Sequence, residues 1–126
     1  MTRNVNPNVV AKATAYRAQF GRYTLSTLTI IEVVRGLHKR RREARIQQFL
    51  TALPTEEVLT LDEASAELAG RIDADLERTG QPIGRIDPMI AAIALTNGVT
   101  LVTGNTAHYQ RIKALGYALK LDDWRI

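Results

Sequence analysis

Glu32, Asp87 and Asn105 can each offer oxygen to a hard cation, and each lies where one regular pattern of the sequence gives way to another. An ion of the magnesium kind takes carboxylate and amide oxygens and keeps several waters. It lowers the pKa of a bound water and steadies charge developing on a phosphate. Each residue also has an ordinary reading. With Ile30 at zero and roughly 100 degrees per residue, Val33, Val34 and Leu37 cluster near zero, while Glu32 falls at about 200 degrees, where a glutamate is ordinarily a solvated surface group. Asp87 precedes Pro88, the pattern of an acidic N-cap with proline at the first helical position. Asn105 follows Val99-Thr100-Leu101-Val102-Thr103-Gly104, where a turn or cap residue is expected. Placement favours a joint role. Glu32 comes directly after a strand, near its carboxyl end, where ligands bind in open α/β sheets. Gly36, one turn on, clears space beside it. Gly84 and Arg85 make an open loop before Asp87, and Thr103 can add a hydroxyl beside Asn105.

The elements that must position these groups alternate between helical and strand patterns, which argues for α/β architecture. Helices are expected over Asn8–Gln19, from Ile30 to Leu37, over Arg40–Leu53, from Asp62 to Leu76, over Met89–Thr96 and over Thr106–Leu115. Ala44, Ile46, Phe49, Leu50 and Leu53 are expected inward on the third, and Ala64, Leu68, Ile72 and Leu76 on the fourth. Strands are expected at Tyr23–Leu28, Val58–Leu61 and Val99–Thr103, with an edge strand at Tyr117–Leu121. The Ala- and Ile-rich helix after Asp87 reads as buried on most sides. Residues 1–126 read as one domain.

Composition narrows the chemistry. With no cysteine, disulfides, zinc–thiolate sites, iron–sulfur ligation and cysteine nucleophiles are excluded. No apolar run approaches the roughly 20 residues of a membrane span, and Met1-Thr2-Arg3-Asn4 leads into no export signal, so a cytoplasmic protein without membrane attachment is expected. His38 and His108 have no evident serine partner for a hydrolytic triad. The net charge is +4, and 13 of the 17 basic residues are arginine, whose planar fork suits phosphate. Arg40, Arg41, Arg42 and Arg45 form a basic run. It reads as a solvated face, as a contact for RNA phosphates or as a contact for an acidic protein partner.

Three stretches carry a family resemblance: Thr29-Ile30-Ile31-Glu32-Val33-Val34-Arg35-Gly36, Ile83-Gly84-Arg85-Ile86-Asp87-Pro88-Met89-Ile90-Ala91-Ala92 and Leu101-Val102-Thr103-Gly104-Asn105-Thr106-Ala107-His108-Tyr109. In order and spacing they resemble VapC-type PIN domains, over nearly the whole chain to Leu121-Asp122-Asp123-Trp124. The resemblance implies a PIN-like three-layer α/β fold, a parallel sheet flanked by helices. It also implies a Mg2+- or Mn2+-dependent ribonuclease, usually the toxin of a toxin–antitoxin pair and commonly dimeric. Glu32 and Asp87 match two acidic positions of the family, Asn105 matches a position near the fourth, and His108 falls where some members carry another acid. From the basic run and from their place beside the acceptors, Arg40, Arg41, Arg42, Arg85 and Thr103 are candidates for contact with RNA. One departure stands out. The family opens with a central strand ending in Asp-Thr-Asn, whose Asp is the leading metal ligand, and nothing here matches it. The first strand is therefore expected to be missing, roughly 20 residues' worth, leaving a gap in the sheet and an edge that invites a second chain.

Three readings follow. The first is a metal-dependent ribonuclease acting through Glu32, Asp87 and Asn105. The second is a catalytically inactive PIN-like module that binds RNA or an antitoxin. The third is a small α/β regulatory domain whose acids are caps and surface groups.

Overall fold

The computed structural model describes residues 6–126; the expectation for Met1-Thr2-Arg3-Asn4 lies outside them. Helix α1 (Pro7–Phe20) opens with proline at its first position and the Asn6 side chain accepting from the amides of Asn8 and Val9, and it closes at Gly21 in the left-handed region. Strand β1 (Thr24–Ser26) is shorter than its apolar run suggests. Ser26 turns to cap α2 (Thr27–Lys39), its hydroxyl accepting from the amide of Thr29. The run therefore passes from strand to helix without a loop, and Glu32 lies in the second turn of α2.

The next helix was expected from Arg40, but α3 spans Glu43–Ala52. The amides of Arg41 and Arg42 bond back to the carbonyls of His38 and Leu37, the paired closure that ends a helix and places one residue in the left-handed region. Here that residue is Arg41, at φ 56°, rather than the usual glycine. The reversal uses up the three arginines and delays α3. Of the apolar residues expected inward on α3, Ile46 is buried and Phe49 and Leu53 are half-buried, but Ala44 and Leu50 are exposed. Gly36 has open space where a side chain would begin, so crowding beside Glu32 does not require glycine there.

After β2 (Glu57–Leu59), α4 (Glu63–Arg78) begins with a reciprocal cap in which the Asp62 carboxylate and the Ser65 hydroxyl satisfy each other's backbone amides. Its buried line is Ser65, Ala69, Ile72 and Leu76. The expected line began at Ala64, which is exposed; Leu68 is half-buried. The polar Ser65 can face inward because the cap satisfies its hydroxyl, and the helix turns accordingly. Helix α5 (Ile86–Asn97) follows, buried along Pro88 and Ile90–Ala94, in agreement with its composition. The chain ends with β3 (Leu101–Val102), α6 (Thr106–Ala114) and β4 (Leu121–Asp122).

One apolar cluster joins α4, α5 and α6 through Ile72, Leu76, Ala91, Tyr109 and Ile112. A second joins Leu28 of α2 to Ile90 and Ile93 of α5. At about 1.5–3 kcal/mol for each large aliphatic side chain withdrawn from water, these clusters fix α2, α5 and α6, the three helices that carry the candidate residues. The strands form two separate parallel pairs, β1 with β2 and β3 with β4. A cavity of about 660 Å³ is lined by β1, by β3 and by Ile90 and Ile93 of α5.

Candidate functional site

Asp87 is not the N-cap of its helix. That position belongs to Arg85, which makes no side-chain capping bond, and Asp87 lies in the first turn. Its carboxylate is thus free of backbone duty, and it faces the positive end of the helix dipole. Both of its oxygens turn to α6: Oδ1 accepts from the Tyr109 hydroxyl at 3.1 Å and Oδ2 lies 3.0 Å from His108 Nδ1. Tyr109 is 4 % exposed. Burial, then the charge and hydrogen bond of Asp87, then the charge of Glu32, raise its hydroxyl pKa far above that of an ordinary tyrosine, so it stays a donor.

Asn105 stands at the N-cap of α6 without capping it through its side chain. Its amide lies 2.8 Å from the same His108 Nδ1. The Asn105 atom facing the ring is the amide nitrogen Nδ2, and one ring nitrogen cannot accept from it and donate to Asp87 at once, so a proton on Nδ1 directs the ring to the Asp87 carboxylate. The turn that places Asn105 is braced twice. Its backbone amide donates to Thr103 Oγ1 at 3.0 Å, and Arg125 Nη2 donates to the Gly104 carbonyl at 2.7 Å. Arg125 is held in turn by Asp123, whose carboxyl those bonds lower to about 2.

Glu32 reaches the same region from α2. Its residue is exposed, yet partial desolvation of its carboxyl, followed by repulsion from Asp87, raises its pKa, against a smaller lowering by Arg35. Glu32 feels the charge of Asp87, Tyr109 feels that of Glu32, and Asp87 and Asn105 both lie against His108, so the three residues singled out in the sequence border one region between α2, α5 and the start of α6. The sequence reading did not single out Tyr109 or Arg35. The signals were the position of Tyr109 beside His108 in its motif and the spacing from Glu32 to Arg35, which puts the two side by side on a helix. Arg85 is the N-cap of α5, two residues before Asp87, and the Thr103 hydroxyl accepts from the Asn105 backbone amide. Arg40, Arg41 and Arg42 do not join this region: they sit at the far end of α2, about 12 Å along the axis from Glu32 by helical rise.

The donor set suits one kind of ion. Among the described residues no three His, Cys, Asp or Glu side chains are arranged to hold a metal, so no closed zinc-like cage is built. Two carboxylates and an amide oxygen fit an ion of the magnesium type that retains waters.

The raised pKa of Glu32 has a checkable consequence in the metal-free protein. A carboxyl whose folded pKa exceeds its unfolded value weakens the fold as pH rises through those two values, because the folded state holds the proton longer. Glu32→Gln is expected to melt like the parent in mild acid and slightly higher at neutral pH. A gap that is constant from pH 3.5 to 7.5 in thermal melts would contradict the raised pKa of Glu32.

A family model described as PIN domain matches residues 6–114. A tRNA(fMet)-specific endonuclease VapC from Shigella flexneri is 34% identical over 108 residues, covering 82% of this chain and 76% of that protein. Among solved structures, VapBC-1 from nontypeable Haemophilus influenzae superposes with a TM-score of 0.76 at 27% identity, covering 95% of this chain and 87% of that one. DNA-bound VapBC from Salmonella typhimurium superposes at 0.73 with 30% identity, covering 94% and 86%. Among the described residues no helix is long and apolar enough to cross a membrane.

Proposed function

We propose, since the chain belongs to the PIN-domain family and within it to the VapC type, that it is an endoribonuclease toxin that hydrolyses RNA phosphodiester bonds with a divalent ion, Mg2+ or Mn2+. The observation that supports this reading is the Asp87 carboxylate at the start of α5, free of capping duty and held from α6 by Tyr109 and His108, with Glu32 near enough to feel its charge. Two carboxylates held together at a cost in repulsion are what a cation relieves. In this reading Glu32, Asp87 and the Asn105 amide oxygen hold the ion. When bound, the ion supplies an activated water and neutralises phosphate charge. The residues of the chain bind and orient the ion, while Arg85 and the Thr103 hydroxyl steer a phosphate toward it. The test is cleavage of a labelled RNA with Mg2+ or Mn2+, set against chelator and against Asp87→Asn. Cleavage that persists in chelator overturns the metal role.

Arg40, Arg41 and Arg42 belong to binding rather than to the cut. Arg41 holds a left-handed conformation that costs a non-glycine residue about 1–2 kcal/mol, and glycine would serve the turn better. Its side chain is kept, on this reading, for contact with RNA phosphate or with an acidic segment of a cognate antitoxin; the VapBC neighbours are toxin–antitoxin complexes. Arg41→Gly is expected to stabilise the fold by about 1 kcal/mol while weakening RNA or antitoxin affinity. Unchanged stability in urea would show that the turn is not strained.

The protein acts in the cytoplasm and as a homodimer in the same reading. Support for self-association comes from the open edges of β1 and β3, which line one cavity and resemble the unpaired edges that recruit further strands. A strictly monomeric species in concentrated solution counts against it. A second reading, binding without cleavage, is favoured by one observation. Among the described residues no three His, Cys, Asp or Glu side chains are arranged to hold a metal. It predicts metal-independent RNA binding and no cut.

A further inference from the structure

We propose that His108 and Tyr109 act together as positioning residues that fix the plane of the Asp87 carboxylate for an incoming ion. The inference rests on the reading of Asp87 as a metal ligand. The final torsion of an aspartate is broad, with no sharp staggered well, so an Asp87 held only by its backbone would sample many orientations. In this structure the two oxygens are gripped separately, Oδ1 by the Tyr109 hydroxyl at 3.1 Å and Oδ2 by His108 Nδ1 at 3.0 Å. His108 and Tyr109 are consecutive residues in the first turns of α6. Neighbours on a helix diverge by about 100 degrees, so the two donors reach the carboxylate from different directions and together prevent it from rotating.

The grip leaves capacity for an ion. A carboxylate offers about four lone-pair sites, and two donors occupy two of them. The anchor is rigid where it must be: Tyr109 is buried in the cluster that joins α4, α5 and α6, so its hydroxyl cannot drift without moving core packing. His108 is half-exposed, and with its Nδ1 protonated it donates to Asp87 Oδ2 and does not accept from the nearby Asn105 Nδ2. Partners of this kind set the orientation of metal ligands, and their loss ordinarily costs 10- to 100-fold in metal affinity.

Tyr109→Phe deletes one donor and keeps the ring in the core. His108→Leu deletes the other. His108→Asn restores an N–H close to where Nδ1 lies. Mn2+ affinity measured by calorimetry on the metal-free protein is the readout, with thermal melts alongside. Tyr109→Phe and His108→Leu are each expected to bind Mn2+ about 10-fold more weakly, and His108→Asn to recover most of that loss, while all three melt close to the parent. Parental Mn2+ affinity in both Tyr109→Phe and His108→Leu overturns the proposal. So does a His108→Asn variant no better than His108→Leu, because the ring would then matter for something other than its donor. Asp87→Asn run in parallel separates the two levels. If it too binds Mn2+ normally, the reading of Asp87 as a ligand has failed. If it alone loses Mn2+, only the positioning role has.

Discussion

Asp87→Asn is expected to lower RNA cleavage by about 10²–10³-fold while the fold survives. The size follows from what the carboxylate is asked to do. A bound divalent ion contributes several kcal/mol to stabilising charge in phosphoryl chemistry, and each 1.36 kcal/mol is a factor of ten in rate. Asparagine keeps the shape of the side chain. Its amide oxygen can still accept from Tyr109, and its NH2 can face His108 once the ring presents an unprotonated Nδ1. What disappears is one negative charge, and with it the strongest donor to the ion. The fold loses only the favourable placement of an acid in the first turn of α5, about 0.3–1 kcal/mol. Because Asp87 does not cap its helix, its loss resembles a surface change more than a broken cap. Single-turnover cleavage and urea denaturation on the same preparation separate the effects. Parental cleavage by Asp87→Asn would end the nuclease reading at this residue. A loss of stability above about 2 kcal/mol would mean that the carboxylate serves the fold.

The corrections to the sequence reading share a cause. Helical periodicity gave the elements and the order of the motifs, and the buried nature of α5 was plain from Pro88 and Ile90–Ala94. Where polar side chains act on the backbone, periodicity misled. Ser65 looks like a solvent residue, yet its reciprocal cap with Asp62 lets it face inward and leaves Ala64 outside. Arg41 looks like one basic residue in a helical run, yet the closure of α2 holds it at positive φ and starts α3 late. Asp87 looks like a cap because Pro88 follows it, but the helix begins two residues sooner, at Ile86, and the Asp87 carboxylate turns toward α6. The candidate site was legible as three separate acceptors. The ring and hydroxyl that join them were not, because Asp87 and Tyr109 are 22 residues apart in the chain and meet only once α5 and α6 pack. A periodic pattern reports which face of a helix is buried, and it says nothing about which neighbour lies across it.

Leu76→Ala is expected to cost the fold about 3 kcal/mol and to leave the chemistry of the site intact. Leu76 is 0 % exposed, on the face of α4 that packs against α5. Leucine-to-alanine changes in such settings cost about 2–5 kcal/mol, part from lost transfer free energy and part from the cavity that remains. Collapse around the gap is resisted here because the neighbours of Leu76 in the cluster include Ala91, Ala92 and Ala94, whose short side chains cannot swing in to fill it. The loss is a large share of the 5–15 kcal/mol that holds a domain of this size. In urea the midpoint should fall with little change in slope, since the surface exposed on unfolding is nearly the same. At low temperature, where the variant remains folded, Mn2+ affinity should stay near the parent value. The carboxylate of Asp87 is held from α6 by Tyr109 and His108, so a defect between α4 and α5 reaches it only if α5 shifts along its axis. A Leu76→Ala variant that keeps most of its stability but loses Mn2+ would show that α5 does shift, and that the packing of α4 against α5, rather than the grip from α6, sets where Asp87 points.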